Sequence, residues 1–156
     1  MNLTKFFAVA ALAATPFAAH AENVTAKSAS SLQSFFLSEG ADVELLTDNV
    51  GDPQLNVTHY GSEFTIFYYG CSDSTNCDSI QFYSGYASNG GVRLKTVNEF
   101  NAEKRWVRAY VADDGSTKLE MDVYMGDAGI SADDFATTVG LWSRHMSDFE
   151  TAIDFN

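Results

Sequence analysis

The sequence predicts an α+β domain in which an antiparallel sheet of about five to six strands carries helices on one face. Three observations lead there. Residues 106–125 form two alternating apolar and polar runs joined by Asp113-Asp114-Gly115, a hairpin signal. Residues 131–153 place Phe135, Val139, Trp142, Met146, Phe149 and Ile153 at alternating steps of 4 and 3, a single apolar stripe on a helix. Between the N-terminus and that stripe the periodicities run helix, about four strands, helix, two strands, with no repeat or interdomain linker.

The hairpin fixes its own register. Leu119, Met121, Val123 and Met125 share one strand face, and Lys118, Glu120, Asp122 and Tyr124 share the other. For Val107, Ala109 and Val111 to join the apolar side, the loop needs an odd number of residues. Asp113-Asp114-Gly115 with glycine in the left-handed position meets that need and sets Arg108 opposite Glu120. Ser131-Ala132-Asp133-Asp134 then reads as an acidic capping box for the last helix.

Earlier in the chain, residues 31–40 fit a short helix capped by Ser30 or Ser31, with Leu32, Phe35 and Phe36 inward and Gly40 as its stop. Strands are predicted over 43–47, 54–60 and 63–70, and a second helix over 94–104 with Leu94, Val97, Phe100 and Asn101 inward. Cys71 and Cys77 bracket a polar loop at hairpin spacing, and in an oxidising compartment they are expected to pair. If they face each other, Ile66 opposes Phe82 and Tyr68 opposes Ile80. Thr65, Phe67 and Tyr69 then lie against Tyr83, Gln81 and Ser79 on the other face, an aromatic surface.

Residues 1–21 combine Lys5, an apolar stretch from Phe6 to Ala14, Pro16 and the ending Ala19-His20-Ala21. That order predicts a secretory signal peptide cleaved before Glu22, leaving one domain over 22–156 in the periplasm or outside the cell. The apolar run is too short to span a bilayer, so no membrane insertion of the mature chain is expected. The formal net charge of −12 becomes one unit more negative when Lys5 leaves, which disfavours nucleic acid as a partner.

No motif of established chemistry stands out. His59 on a strand and His145 on the polar side of the last helix lack metal-ligand spacing, no Gly-x-Ser-x-Gly occurs, and Asn89-Gly90-Gly91 lacks the lysine of a phosphate loop. No cofactor is implied. Glu120 and Asp122, carboxylates at i and i+2 on one strand face, are the acid/base candidates, but Arg108 across the ladder accounts for them as a solvated ion-pair cluster.

The stretches Asn98-Glu99-Phe100-Asn101, Arg105-Trp106-Val107-Arg108-Ala109-Tyr110, Asp114-Gly115, Leu119-Glu120-Met121-Asp122 and Gly129-Ile130-Ser131, followed by a helix with Trp142, resemble the YbjN domain family. The resemblance covers about 98–142 closely, and by element order it extends back to Ser31. It implies a regulator of sensory transduction with no catalytic residues to carry over, and its motif residues also have a structural reading in which Asn98 and Asn101 cap and turn, Asp114-Gly115 turns, and Arg108 with Glu120 and Asp122 pairs strands. It also implies a fold similar to class I type III secretion chaperones, small proteins that dimerise and bind extended peptides.

These readings predict a non-enzymatic exported binding module, with Phe67, Tyr69, Tyr83 and Trp106 as its surface and a protein or peptide, or a second copy, as partner. The alternatives are a small-ligand or stress-sensing domain, and a small hydrolase using Glu120 or Asp122.

Overall fold

Alternating side chains give a strand two faces before any tertiary contact forms. In the computed structural model, which describes residues 23–87 and 91–155, six strands use that alternation in a single antiparallel sheet. The elements run α1 (Ala29–Ser38), β1 (Asp42–Thr47), β2 (Pro53–His59), β3 (Ser62–Tyr69), β4 (Ser79–Tyr86), α2 (Leu94–Glu103), β5 (Arg108–Val111), β6 (Thr117–Tyr124) and α3 (Ala132–Ala152). The sheet order is β1-β2-β3-β4-β6-β5. The chain leaves β4 through α2, forms the edge strand β5, and turns back to lay β6 against β4. The α+β class and the order of elements are those the sequence predicts; the signal peptide expected over 1–21 lies outside the described residues.

Both hairpins adopt the predicted registers. Cys71 and Cys77 are disulfide-bonded, Ile66 pairs with Phe82, and Tyr68 pairs with Ile80. Arg108 lies opposite Glu120 and Ala109 opposite Leu119. The amide of Ala112 donates to the Ser116 carbonyl at 2.8 Å, closing the three-residue loop, and Gly115 takes φ +79° there.

One face of the sheet meets the helices. Leu55, Ile66, Phe82 and Leu119 are buried with Leu32 and Phe36 of α1, Val97 and Phe100 of α2, and the α3 stripe. Trp142 packs at 6.1 Å from Phe64 and 5.6 Å from Phe82, so the last helix is fixed over the middle of the sheet. Its N-terminus is closed as predicted: Ser131 Oγ accepts from the Asp134 amide at 3.1 Å, with Asp133 and Asp134 in the first turn.

Several local expectations are corrected. The N-cap of α1 is Ser28, whose side chain makes no cap bond and meets Ser30 Oγ at 2.7 Å, while Ser31, inside the helix, accepts from the Thr25 amide at 3.0 Å. Leu94 is exposed at the start of α2. Trp106 stands outside β5 with φ +75°, a left-handed conformation that interrupts the extended run predicted to begin there. His145, assigned to the polar side of α3, is buried: Trp142 and Phe149, three residues before and four after it, put it on the flank of the apolar stripe. Burial lowers its pKa.

The N-terminal segment is tied to the turn before α3 by paired bonds of 2.9 Å between Val24 and Ile130. Gly129, at φ +69°, permits that approach, since a Cβ there would collide with the Val24 carbonyl oxygen. Gly129→Ala is therefore expected to cost about 1 to 3 kcal/mol. Gly140→Ala in α3, where a Cβ meets nothing within 4 Å, is expected to stabilise by about 0.5 to 1 kcal/mol. Urea unfolding midpoints of the two variants check the contrast.

Candidate functional site

The residues of opposite parity point away from the helices, and no helix among the described residues packs over them. Antiparallel pairing lines them up in rows. Glu44, Asn56, Thr65, Tyr83, Glu120 and Arg108 form one row across all six strands, and Gln54, Phe67, Gln81 and Asp122 form the next. The face is thus built by register, with each side chain held by a ladder position rather than by a loop.

Its aromatic centre is the pair Phe67 and Tyr83, edge to face at 5.5 Å between centroids. Lys118 Nζ lies over the Tyr83 ring at 5.6 Å, and Tyr69 stands half exposed beside them with its hydroxyl 3.5 Å from Gln81 Oε1. Of the four residues expected to form the binding surface, three are brought together. Trp106 is not among them; it is 66 % exposed, and its ring neighbour is the Arg105 guanidinium at 5.1 Å.

Beside the rings is a charged network. Arg108 Nε donates to Glu120 Oε2 at 2.7 Å and the Tyr110 hydroxyl donates to Glu120 Oε1 at 2.8 Å. Arg108 also reaches Asp122 at 3.4 Å, and Gln81 Nε2 donates to Asp122 Oδ1 at 2.8 Å. The sequence predicts a solvated cluster, and for Glu120 the structure corrects this. Its side chain is only 8 % exposed, since β4 and β5 flank it on both sides and Arg108 and Tyr110 close over it. The Tyr110 phenol is pushed up to about 12 by burial and then by its bond to Glu120. Burial, followed by the charges of Glu120, Asp122 and Asp48, raises Tyr69 as well. Glu120 holds Arg108 in its charged form. The face thus presents phenol donors, a guanidinium bonded to Glu120, and a carboxyl group both of whose oxygens already accept a hydrogen bond.

The remaining motif residues have structural positions. Asn101 Nδ2 donates to the Ala109 carbonyl at 2.9 Å, and its Oδ1 accepts from the Ala109 amide at 2.8 Å. Asn101 therefore clamps α2 to β5 instead of capping the helix. Asn98 is exposed on α2 and makes no cap. Asp114 accepts from the Ser116 amide at 2.9 Å beside Gly115, and Trp142 is wholly buried.

Beyond the rings, toward β1, the face becomes a shallow groove of about 670 Å³ lined by Asp42, Glu44, Asn56, Glu63, Thr65 and Tyr83, among others. Sequence reasoning missed this groove and the Gln81–Asp122 contact. Both require knowing that β1, β2 and β3 lie in order and that β4 neighbours β6.

A family model described as "Putative bacterial sensory transduction regulator" matches residues 28–155, from the start of α1 through the end of α3. The chain belongs to the YbjN family. No curated protein and no solved structure matches it. The YbjN match spans every element described above, so the open face and the helix-covered face belong to one family domain.

Two outcomes are expected of the network. Arg108→Met, which leaves one oxygen of the enclosed Glu120 without a partner, should cost about 1.5 to 3 kcal/mol, more than Asp122→Asn at the exposed end. Tyr110 holds its proton more tightly folded than unfolded, so its contribution is intact below its ordinary value of 10.0 and lost as pH rises to about 12. Urea unfolding across that window should show a shallower fall for Tyr110→Phe than for the parent chain.

Proposed function

We propose that this YbjN protein is an exported, non-enzymatic regulatory module that binds a protein or peptide partner on the open face of its sheet. The observation that carries the reading is the Phe67 and Tyr83 pair, with Tyr69 beside it, on a sheet face that no described helix packs over. Rigid amphipathic rings held by strands supply contact area at small entropic cost, as recurs at binding surfaces. The Cys71–Cys77 disulfide is compatible with an oxidising compartment, in keeping with the signal-like residues 1–21.

Hydrolysis by Glu120 or Asp122 is less well supported. Both Glu120 oxygens already accept, from Arg108 and Tyr110, and Asp122 accepts from Gln81. With both oxygens occupied and 8 % of its side chain exposed, Glu120 lacks the open reach to a substrate proton that a general base needs, while Asp122, 57 % exposed, is a solvated ion-pair partner of Arg108. A small-ligand reading is favoured by one observation, the groove of about 670 Å³ beside Tyr83.

The double variant Phe67→Ser/Tyr83→Ser should fold with a similar Tm and lose crosslinked partner from an envelope extract. Unchanged partner recovery would remove the open face from the reading. A melting shift with small apolar ligands and none with peptides would favour the small-ligand domain instead. Intact mass of the exported chain should place its N-terminus at Glu22, and an uncleaved chain retained in the cytoplasm would overturn export.

A further inference from the structure

Resting on the open-face reading, we propose that the partner is an extended segment of alternating basic and apolar residues that adds to β1 as a seventh strand. β1 is an edge strand paired with β2 alone, through six successive residue pairs without a bulge. Among the described residues nothing pairs with its outer side. Sheet edges are commonly blunted by charged side chains, by proline or by a bulge; Asp42–Thr47 has no proline or bulge, and its charges, Asp42 and Glu44, repel an acidic strand but not a basic one. It is therefore an edge in condition to accept a strand.

The side chains of that edge define what can be accepted. Asp42 and Glu44 project onto the open face, and Glu63 joins them through the ladder Asp42, Thr58, Glu63. Among the described residues none of these three carboxylates has a cation within ion-pair distance, whereas Glu120 and Asp122 in the same sheet are paired with Arg108. The alternate positions Val43 and Leu45 turn to the other side. Leu45 is 46 % exposed, and Leu37, 54 % exposed at the end of α1, lines the same groove as the carboxylates. Over residues 42–45 the edge thus alternates acid on the open side with aliphatic surface on the other, and Leu46, opposite Gln54, adds one apolar side chain to the open side beyond them.

An added strand must match this pattern, because directly opposed side chains share a face. Residues opposite Asp42 and Glu44 should be lysine or arginine, whose long side chains can lie in the groove toward Glu63. Residues opposite Val43 and Leu45 should be apolar. Main-chain bonds to the edge would supply affinity and the alternating side chains specificity. A second copy of the chain fits less well, since it would bring its own Asp42 and Glu44, and a net charge of −12, to the same edge.

The test uses the purified, disulfide-bonded chain and three fluorescein-labelled peptides of equal length: alternating lysine and valine, the same residues in two blocks, and alternating glutamate and valine. In anisotropy titrations the alternating lysine peptide should bind at least about tenfold more tightly than the block peptide, and the glutamate peptide should not bind. Glu44→Lys should weaken binding of the alternating peptide by about tenfold or more. Glu44→Gln should weaken it less, with circular dichroism melts unchanged for both. Bound peptide should slow amide exchange in residues 42–47.

Equal affinity for the block peptide would reduce the attraction to diffuse charge and overturn the proposal, as would affinity unaltered by Glu44→Lys. If the loss appears with Phe67→Ser/Tyr83→Ser and not with Glu44→Lys, the open-face reading survives and the β1 assignment falls. If neither variant changes binding, both fall. A dimer by light scattering with residues 42–47 already protected without peptide would give the edge to a second copy.

Discussion

The pairing of β4 with β6 is the constraint on which the rest of the molecule depends. It joins two hairpins that are each closed locally, β3 with β4 and β5 with β6, through eight consecutive residue pairs. On one side it sets Phe82 beside Met121 under Trp142, and on the other it sets Tyr83 beside Glu120 and Gln81 beside Asp122. Because strand side chains alternate, one register decides both the core and the exposed array. A slip by one residue would turn Leu119 and Met121 toward solvent and send Glu120 into the helix-covered layer, and the cost of burying that carboxylate unpaired excludes it.

The two faces divide the energetic work. Helix-side residues remove apolar surface from water, with interlocking aromatic rings of Phe36, Phe64, Phe82, Phe135 and Trp142 between sheet and helices. The open side contributes through polar contacts whose individual worth is small. Glu120 departs from that pattern, since it is enclosed while facing away from the core and its two oxygens are satisfied by Arg108 and Tyr110. That arrangement keeps the charged part of the face in a single geometry, next to rings that are equally fixed. Toward β1 the acids have no such partners among the described residues, so there the face grades from internally satisfied to uncompensated charge across its width.

Several features were legible in the chain because they are local. The Asp113-Asp114-Gly115 loop, the Cys71/Cys77 register, the Ser131 cap and the α3 stripe each rest on residues a few positions apart, where turn chemistry and periodicity act directly. The local readings that failed did so where a tertiary partner intervened. Ser31 is taken by the Thr25 amide, Asn101 by the Ala109 backbone, and His145 by its position beside Trp142 and Phe149. Trp106 leaves the strand through a left-handed backbone that its alternating neighbours do not signal.

The sequence by itself determined the class, the two hairpin registers, and which residues face the helices and which face away, because period-2 alternation and turn residues encode these without reference to distant segments. Tertiary structure decided the order β1-β2-β3-β4-β6-β5, and with it the enclosure of Glu120, the Gln81–Asp122 contact and the acidic groove beside an open edge. The reason is that β4 and β6 meet only after the intervening α2 and β5 have folded back. Such a contact depends on packing among elements far apart in the chain and leaves no mark in local residue patterns.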